Sequence, residues 1–127
     1  MRKLGIAVAA AAAIFAGAAF AHHSTNLGFY PDKRVTLQAE FVAFKWINPH
    51  TLMEFTVVNA KGEKEKWIGE THSTPTLARA GWRKNMFKPG DKITVFGQPG
   101  RKDPHVMHIL TITTAGGKVY NANASNT

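Results

Sequence analysis

The sequence predicts a mainly β fold: a small OB-like barrel of five to six strands with one short helix, preceded by a signal peptide. Short segments of alternating polar and apolar residues recur between turn-forming residues over residues 35–120. One short segment between the third and fourth of these strands has helical character. The chain has 127 residues and no cysteine, so we expect one domain stabilised by an apolar core. A β-sandwich is the alternative architecture.

The first 21 residues have the pattern of a signal peptide. Arg2 and Lys3 precede an uncharged stretch that ends in Ala19-Phe20-Ala21, the small-x-small pattern of a cleavage site. The stretch is rich in Ala and Gly and weakly apolar, which favours cleavage over retention as an anchor. Charged residues interrupt every later apolar segment, so we expect no membrane span in the mature chain. Cleavage after Ala21 predicts a periplasmic or secreted protein.

The first predicted strand covers residues 35–47 and changes phase within its length. Its apolar residues alternate up to Phe41 and then shift at Val42, Phe44 and Trp46, which predicts a bulge that exchanges the two faces. Pro49 ends the strand in a turn. The second and third strands follow at residues 51–59 and 64–70, joined by a hairpin turn at residues 60–63.

A short helix follows the third strand. Ser73 or Thr74 can cap it, Pro75 suits its first turn, and Gly81 can end it. The fourth and fifth strands are predicted at residues 92–98 and 106–114, followed by a short piece at residues 119–120. In the fifth strand, Val106, His108, Leu110 and Ile112 have the same parity, which predicts one shared face. The domain therefore covers residues 22–120, and residues 121–127 form a polar tail.

Several short motifs occur together in the mature part of the chain. In order, they are His22-His23-Ser24, Trp46-x-Asn48-Pro49-His50, Trp67 with Glu70, Leu77-x-x-x-Gly81-Trp82, and Lys88-Pro89-Gly90-Asp91 before Val95-x-Gly97. This combination resembles a bacterial family of small exported proteins of unknown function. The resemblance implies export and a small β-barrel, and it supplies no activity or ligand.

The predicted cleavage would place a histidine at the mature N-terminus. The α-amine and the Nδ1 atom of His22 can then chelate one ion, and a nitrogen from another histidine would complete a T-shaped site. Nitrogen ligands in a planar arrangement suit Cu(II). His22 and His23 are therefore candidate ligands for copper or another transition metal. The alternative is that both belong to a solvated terminus.

Other histidines are candidates for the remaining ligands. His50 lies at a strand–turn boundary, where a rigid sheet can direct it into a site; alternatively, it bonds a neighbouring carbonyl. His72 follows Glu70 by two residues, so the pair can act as ligand and orienting carboxylate or simply as a charge pair. His105 in the loop before the fifth strand is a further candidate, whereas His108 is expected to be a hydrogen-bonded core residue.

Known enzyme motifs are missing from the sequence. There is no Gly-rich phosphate loop, nucleophile elbow or HExxH motif, and we assign no catalytic residue. The sequence therefore favours a non-enzymatic periplasmic binding protein that holds copper through His22, His23, His50 and His72. The alternative is an envelope interaction or assembly module with structural histidines. A copper-dependent oxidase is a third and weaker hypothesis.

The chain is basic, with a formal net charge of +8 that falls to +6 when Arg2 and Lys3 are removed. Such a charge attracts anionic partners in general. Export would separate the protein from nucleic acid, so we expect no nucleic-acid partner. A solvated basic face is the first interpretation of this charge. An envelope protein or an anionic polymer is the macromolecular partner that we would otherwise expect.

Overall fold

The structure is a computed structural model that describes residues 28–123. Its strands and its short helix agree closely with the predicted elements. They are β1 (Val35–Lys45), β2 (Leu52–Val58), β3 (Lys64–Glu70), α1 (Thr74–Arg79), β4 (Lys92–Pro99), β5 (Val106–Thr114) and β6 (Val119–Asn121). No helix within residues 28–123 is long and apolar enough to cross a membrane.

The strands form a closed five-stranded barrel with one extra strand. The strand order is β3-β2-β1-β4-β5-β6, and a further pairing between β3 and β5 closes the barrel. The closing pairing is parallel and short, with Ile68, Gly69 and Glu70 opposite Val106, Met107 and His108. All other strand pairings are antiparallel. The predicted barrel is thus confirmed, and the β-sandwich alternative was wrong.

The bulge predicted in the first strand is confirmed at Val42. Phe41 pairs with Phe55 and Ala43 pairs with Glu54, so Val42 is the extra residue in β1. Phe41 is buried before the bulge, and Phe44 packs against the core after it. The bulge therefore lets one long strand supply core residues from both of its parities.

A second bulge corrects the predicted facing of the fifth strand. Phe96 pairs with Thr111 and Gly97 pairs with Ile109, so Leu110 is the extra residue in β5. Met107 and Ile109 belong to the apolar core. Because side chains alternate along a strand, His108 lies on the opposite, outer face of the barrel wall. The expectation that Val106, His108, Leu110 and Ile112 share one face was wrong.

The core fills the barrel and extends beneath α1. Leu77 of the helix and Trp82 after it are fully buried, and the Trp82 Nε1–H donates to the carbonyl oxygen of Asn121 at 2.8 Å. The helix therefore covers one end of the barrel, and Trp82 joins it to Asn121, the last residue of β6.

Hydrogen bonds fix the start of α1, and a glycine in a left-handed conformation follows its end. Pro75 lies in the first turn as predicted, and Ser73 is at the N-cap position without a side-chain capping bond. The Asn48 Oδ1 atom instead accepts bonds from the Thr74 amide at 2.8 Å and from its hydroxyl at 2.9 Å. At the other end, Gly81 has a positive φ of 94°, the conformation that commonly ends a helix.

Candidate metal centre

The closing pairing of the barrel brings together three histidines that lie far apart in the sequence. Glu70, the last residue of β3, is opposite His108 of β5. The segment before β2 joins the segment after β3, because the Thr51 amide donates to the His72 carbonyl at 3.0 Å and the Thr71 amide to the Thr51 carbonyl at 2.9 Å. His50, His72 and His108 are therefore held by adjacent segments on the outer face of the barrel.

His108 is buried although it points away from the barrel interior. Only 6% of the residue is exposed. The Phe29 ring lies over it with a centroid distance of 5.6 Å, and the His72 ring meets it edge-on at 5.4 Å with an interplanar angle of 82°. The chain before β1 and the chain after β3 thus enclose this imidazole outside the sheet.

One nitrogen of each ring in this pair is buried without a hydrogen-bond partner in the described part of the chain. These atoms are His72 Nε2 and His108 Nδ1. Buried polar atoms in proteins are usually paired, so these two nitrogens in adjacent rings are available to a polar or ionic ligand. The predicted burial of His108 is confirmed, and its ring hydrogen-bonds to the Glu70 backbone as expected, whereas Nδ1 has no partner among the described residues.

The environment keeps both rings of this pair neutral. Burial lowers the pKa of His108 from 6.5 to about 4, with further lowering by His72 and His50 and a weaker opposing effect of the Glu70 backbone. Burial also lowers the pKa of His72, while the Asn123 side chain raises it and His50 lowers it. Neutral imidazole is the form that coordinates a metal ion, so neither ring has to lose a charge at pH 7.

His50 adopts the tautomer that leaves Nε2 free for a ligand. Its Nδ1 atom lies 3.1 Å from the carbonyl oxygen of Thr71 and 3.5 Å from Oε1 of Glu70. Since a carbonyl only accepts, Nδ1 carries the hydrogen and Nε2 has the lone pair. Metal-bound histidines commonly have this arrangement. The sequence paired Glu70 with His72; the structure places it beside His50 instead.

The other candidate histidines stand apart from this cluster. His105 Nε2 lies 2.9 Å from Oε2 of Glu65, and its ring packs on Trp67 with a centroid distance of 5.2 Å. Glu65 precedes Glu70 by about 16 Å along β3, at the usual strand rise, so His105 is not part of the cluster. His22 and His23 lie outside the described residues.

The described residues do not by themselves complete a metal site. Within residues 28–123, no group of three or more His, Cys, Asp or Glu side chains is arranged to hold an ion. The structure therefore brings together two of the predicted candidates, His50 and His72, and adds His108, which the sequence had assigned to the core. His108 joins the cluster because β3 and β5, which are distant in the sequence, pair in parallel. No local pattern in the sequence predicts this pairing.

Comparison with known proteins places the chain in a family. A search of curated proteins and a search of solved structures each find no match. A family of unknown function, DUF6152, matches residues 9–108. This match covers most of the chain and includes β1 to β4, α1 and the three clustered histidines. The chain therefore belongs to DUF6152, a family of unknown function.

Proposed function

We propose that the protein is an exported, periplasmic, non-enzymatic binding protein for a transition metal, with copper as the best match. The observation that carries the proposal is the adjacent pair of buried ring nitrogens, His72 Nε2 and His108 Nδ1, without a partner in the described residues. Two neutral imidazoles supply two nitrogen ligands, and a stable site requires at least one more.

The mature N-terminus can supply the missing ligands. Phe29 contacts His108, and His22 precedes Phe29 by seven residues. An extended chain spans about 3.3–3.6 Å per residue, so the amine and imidazole of His22 can reach the pair if cleavage occurs after Ala21. His23 is within the same reach. The His22 amine and ring, together with His72 and His108, give four nitrogen donors.

This donor set favours copper over other ions. The chain has no cysteine, so soft thiolate ligands are missing. Nitrogen donors bind Cu(II) more tightly than the other divalent first-row metals. Zn²⁺ also accepts imidazole, and it is therefore the competitor that a binding experiment must include.

The test is a competitive Cu(II) titration of protein that begins at His22, with intact mass confirming the N-terminus and electron paramagnetic resonance detecting nitrogen ligands. His72→Asn keeps a donor near the Nδ1 position and removes Nε2, whereas His108→Gln keeps one near Nε2 and removes Nδ1. We expect each variant, and His22→Ala, to weaken binding by at least about tenfold.

His105→Gln is the matched control, because it removes a histidine outside the cluster and should leave the affinity unchanged. A form with one extra residue before His22 should lose the chelate of amine and imidazole. The proposal fails if wild-type protein does not compete for Cu(II), or if His22→Ala and His108→Gln bind like wild type. Circular dichroism of each variant separates lost binding from lost folding.

A second candidate function is binding of an anionic polymer or envelope protein. A groove of about 220 Å³ on the outer face of β1, β2 and β3 favours it, with Lys45 beside an apolar floor of Ala43, Leu52 and Ile68. The second lysine of the groove, Lys66, forms an ion pair with Glu54 at 3.0 Å. We propose dextran sulfate as the probe. Salt-sensitive retention that falls in Lys45→Gln would support this function, and equal elution of both proteins at low salt would oppose it.

A further inference from the structure

We infer that His50 is the exchange ligand of this site: the side chain that first binds an incoming metal ion and passes it to the His72–His108 pair. The inference rests on the proposed function and adds the route by which the ion is acquired and released. Geometry, exposure and charge support it separately.

Exposure decreases from His50 towards His108. The His50 side chain is 39% exposed, whereas the whole of His108 is only 6% exposed and the free nitrogens of His72 and His108 are buried. A hydrated ion in solution can therefore meet His50 without any rearrangement of the protein. It can reach the buried pair only after it has lost water.

A hydrogen bond at Nδ1 fixes the orientation of the His50 ring. The Thr71 carbonyl, 3.1 Å from Nδ1, accepts the hydrogen of that atom, so the neutral ring carries its lone pair on Nε2. Thr71 is also the residue directly before His72, and its amide is bonded to Thr51. The same short backbone segment thus positions the exposed ligand and one member of the buried pair.

The backbone connects His50 to the buried pair. Thr51, the residue after His50, donates its amide hydrogen to the His72 carbonyl at 3.0 Å, and the His72 ring meets the His108 ring edge-on. Glu70, with Oε1 3.5 Å from His50 Nδ1 and 30% exposure, adds a negative charge at the solvent side. An incoming cation is therefore attracted to the position where the first nitrogen ligand is free.

The transfer is a ligand exchange without a redox step. The bond between the ion and His50 Nε2 breaks as a bond to His72 Nε2 or His108 Nδ1 forms, and bound water is released. The accepting nitrogen offers its lone pair in the tautomer that carries the ring hydrogen on the other nitrogen, so no net proton is released. The oxidation state of the ion does not change.

Stopped-flow mixing with a Cu(II)–glycine complex, followed by tryptophan fluorescence, tests the inference. His50→Asn removes Nε2 but keeps a donor near the position that bonds Thr71. We expect it to slow both loading and removal by a chelator by about fivefold or more, while the dissociation constant changes less than about twofold. Glu70→Gln should slow loading at low salt, since it removes the attracting charge. His105→Gln should change neither rate.

Two results would overturn the inference while leaving the proposed function intact. Unchanged rates in His50→Asn would show that the ion does not pass through His50. A loss of affinity as large as that of His108→Gln would show that His50 is a resident ligand instead. Failure of wild-type protein to bind Cu(II) at equilibrium would refute the proposed function itself.

Discussion

Replacing Gly97 by alanine should destabilise the barrel strongly, because β4 and β5 approach each other closely at the second bulge. A Cβ atom on Gly97 would lie 1.9 Å from the carbonyl oxygen of His108 and 2.9 Å from Cε of Met107. Carbon–oxygen contacts below 3.0 Å are essentially never seen at real Cβ atoms, so this oxygen has to move by at least about 1.1 Å. The obstacle is backbone and cannot rotate away.

The expected loss in the free energy of unfolding is large because the clashing atom is a backbone oxygen. Overpacking a core costs typically about 1–3 kcal/mol when side chains can adjust, so a backbone clash at a buried position falls at the upper end, about 3 kcal/mol. For a domain of this size that corresponds to a fall in Tm of roughly 12–24 °C. Because the clash involves the His108 carbonyl, Cu(II) affinity should fall as well.

Urea denaturation followed by tryptophan fluorescence, with a chelator present, measures the effect. Gly116→Ala is the control, since the nearest atom to its added Cβ is Thr114 Oγ1 at 3.8 Å. That variant should stay within about 0.5 kcal/mol of wild type. Equal unfolding midpoints for the two variants would refute the close approach of β4 to β5.

The remaining predictions concern pH, the core and the helix. The pKa of His108 falls to about 4 on folding from 6.5; only the unfolded chain therefore gains this proton as pH falls through that window. Stability should be full above about pH 6.5 and fall by up to about 3 kcal/mol towards pH 4, and a similar slope in His108→Gln would contradict this cause. Leu77→Ala should cost about 2–5 kcal/mol in urea denaturation because Leu77 is fully buried, whereas Val58→Ala, 57% exposed, should cost less than about 0.5 kcal/mol. Asn48→Ala removes the acceptor of two bonds from Thr74 and should lower the Tm through a loss of about 1 kcal/mol, while Asn48→Asp keeps the acceptor and should stay closer to wild type.

Local patterns were sufficient to predict most of the barrel. Strand alternation is a property of neighbouring residues, so β1 to β5 could be placed within about two residues, and the phase change at Val42 was visible in the sequence itself. The bulge at Leu110 was missed because Met107, His108 and Ile109 are all buried. Phe29 and His72 pack on the outer face of β5. Where both faces of a strand are buried, its sequence does not alternate between polar and apolar residues.

The candidate site was only partly predictable for a different reason. His50 and His72 could be selected from their positions at strand ends. Their neighbour His108 could not, because the pairing of Glu70 with His108 joins strands that are distant in the sequence. The sequence analysis paired Glu70 with His72, because residues two apart in a strand lie on the same face. However, β3 ends at Glu70, so this rule does not extend to His72, and Glu70 lies beside His50 instead.

The short parallel seam between β3 and β5 links barrel closure to the histidines. His72 and His108 become neighbours only after this seam has formed, and it joins segments of high sequence separation, a contact type that forms slowly. An ion bound to both rings would select the closed form and stabilise it by mass action. Amide hydrogen exchange at Ile68 and Met107 should then slow on metal addition, because the bound ion would hold the two paired strands of the seam together.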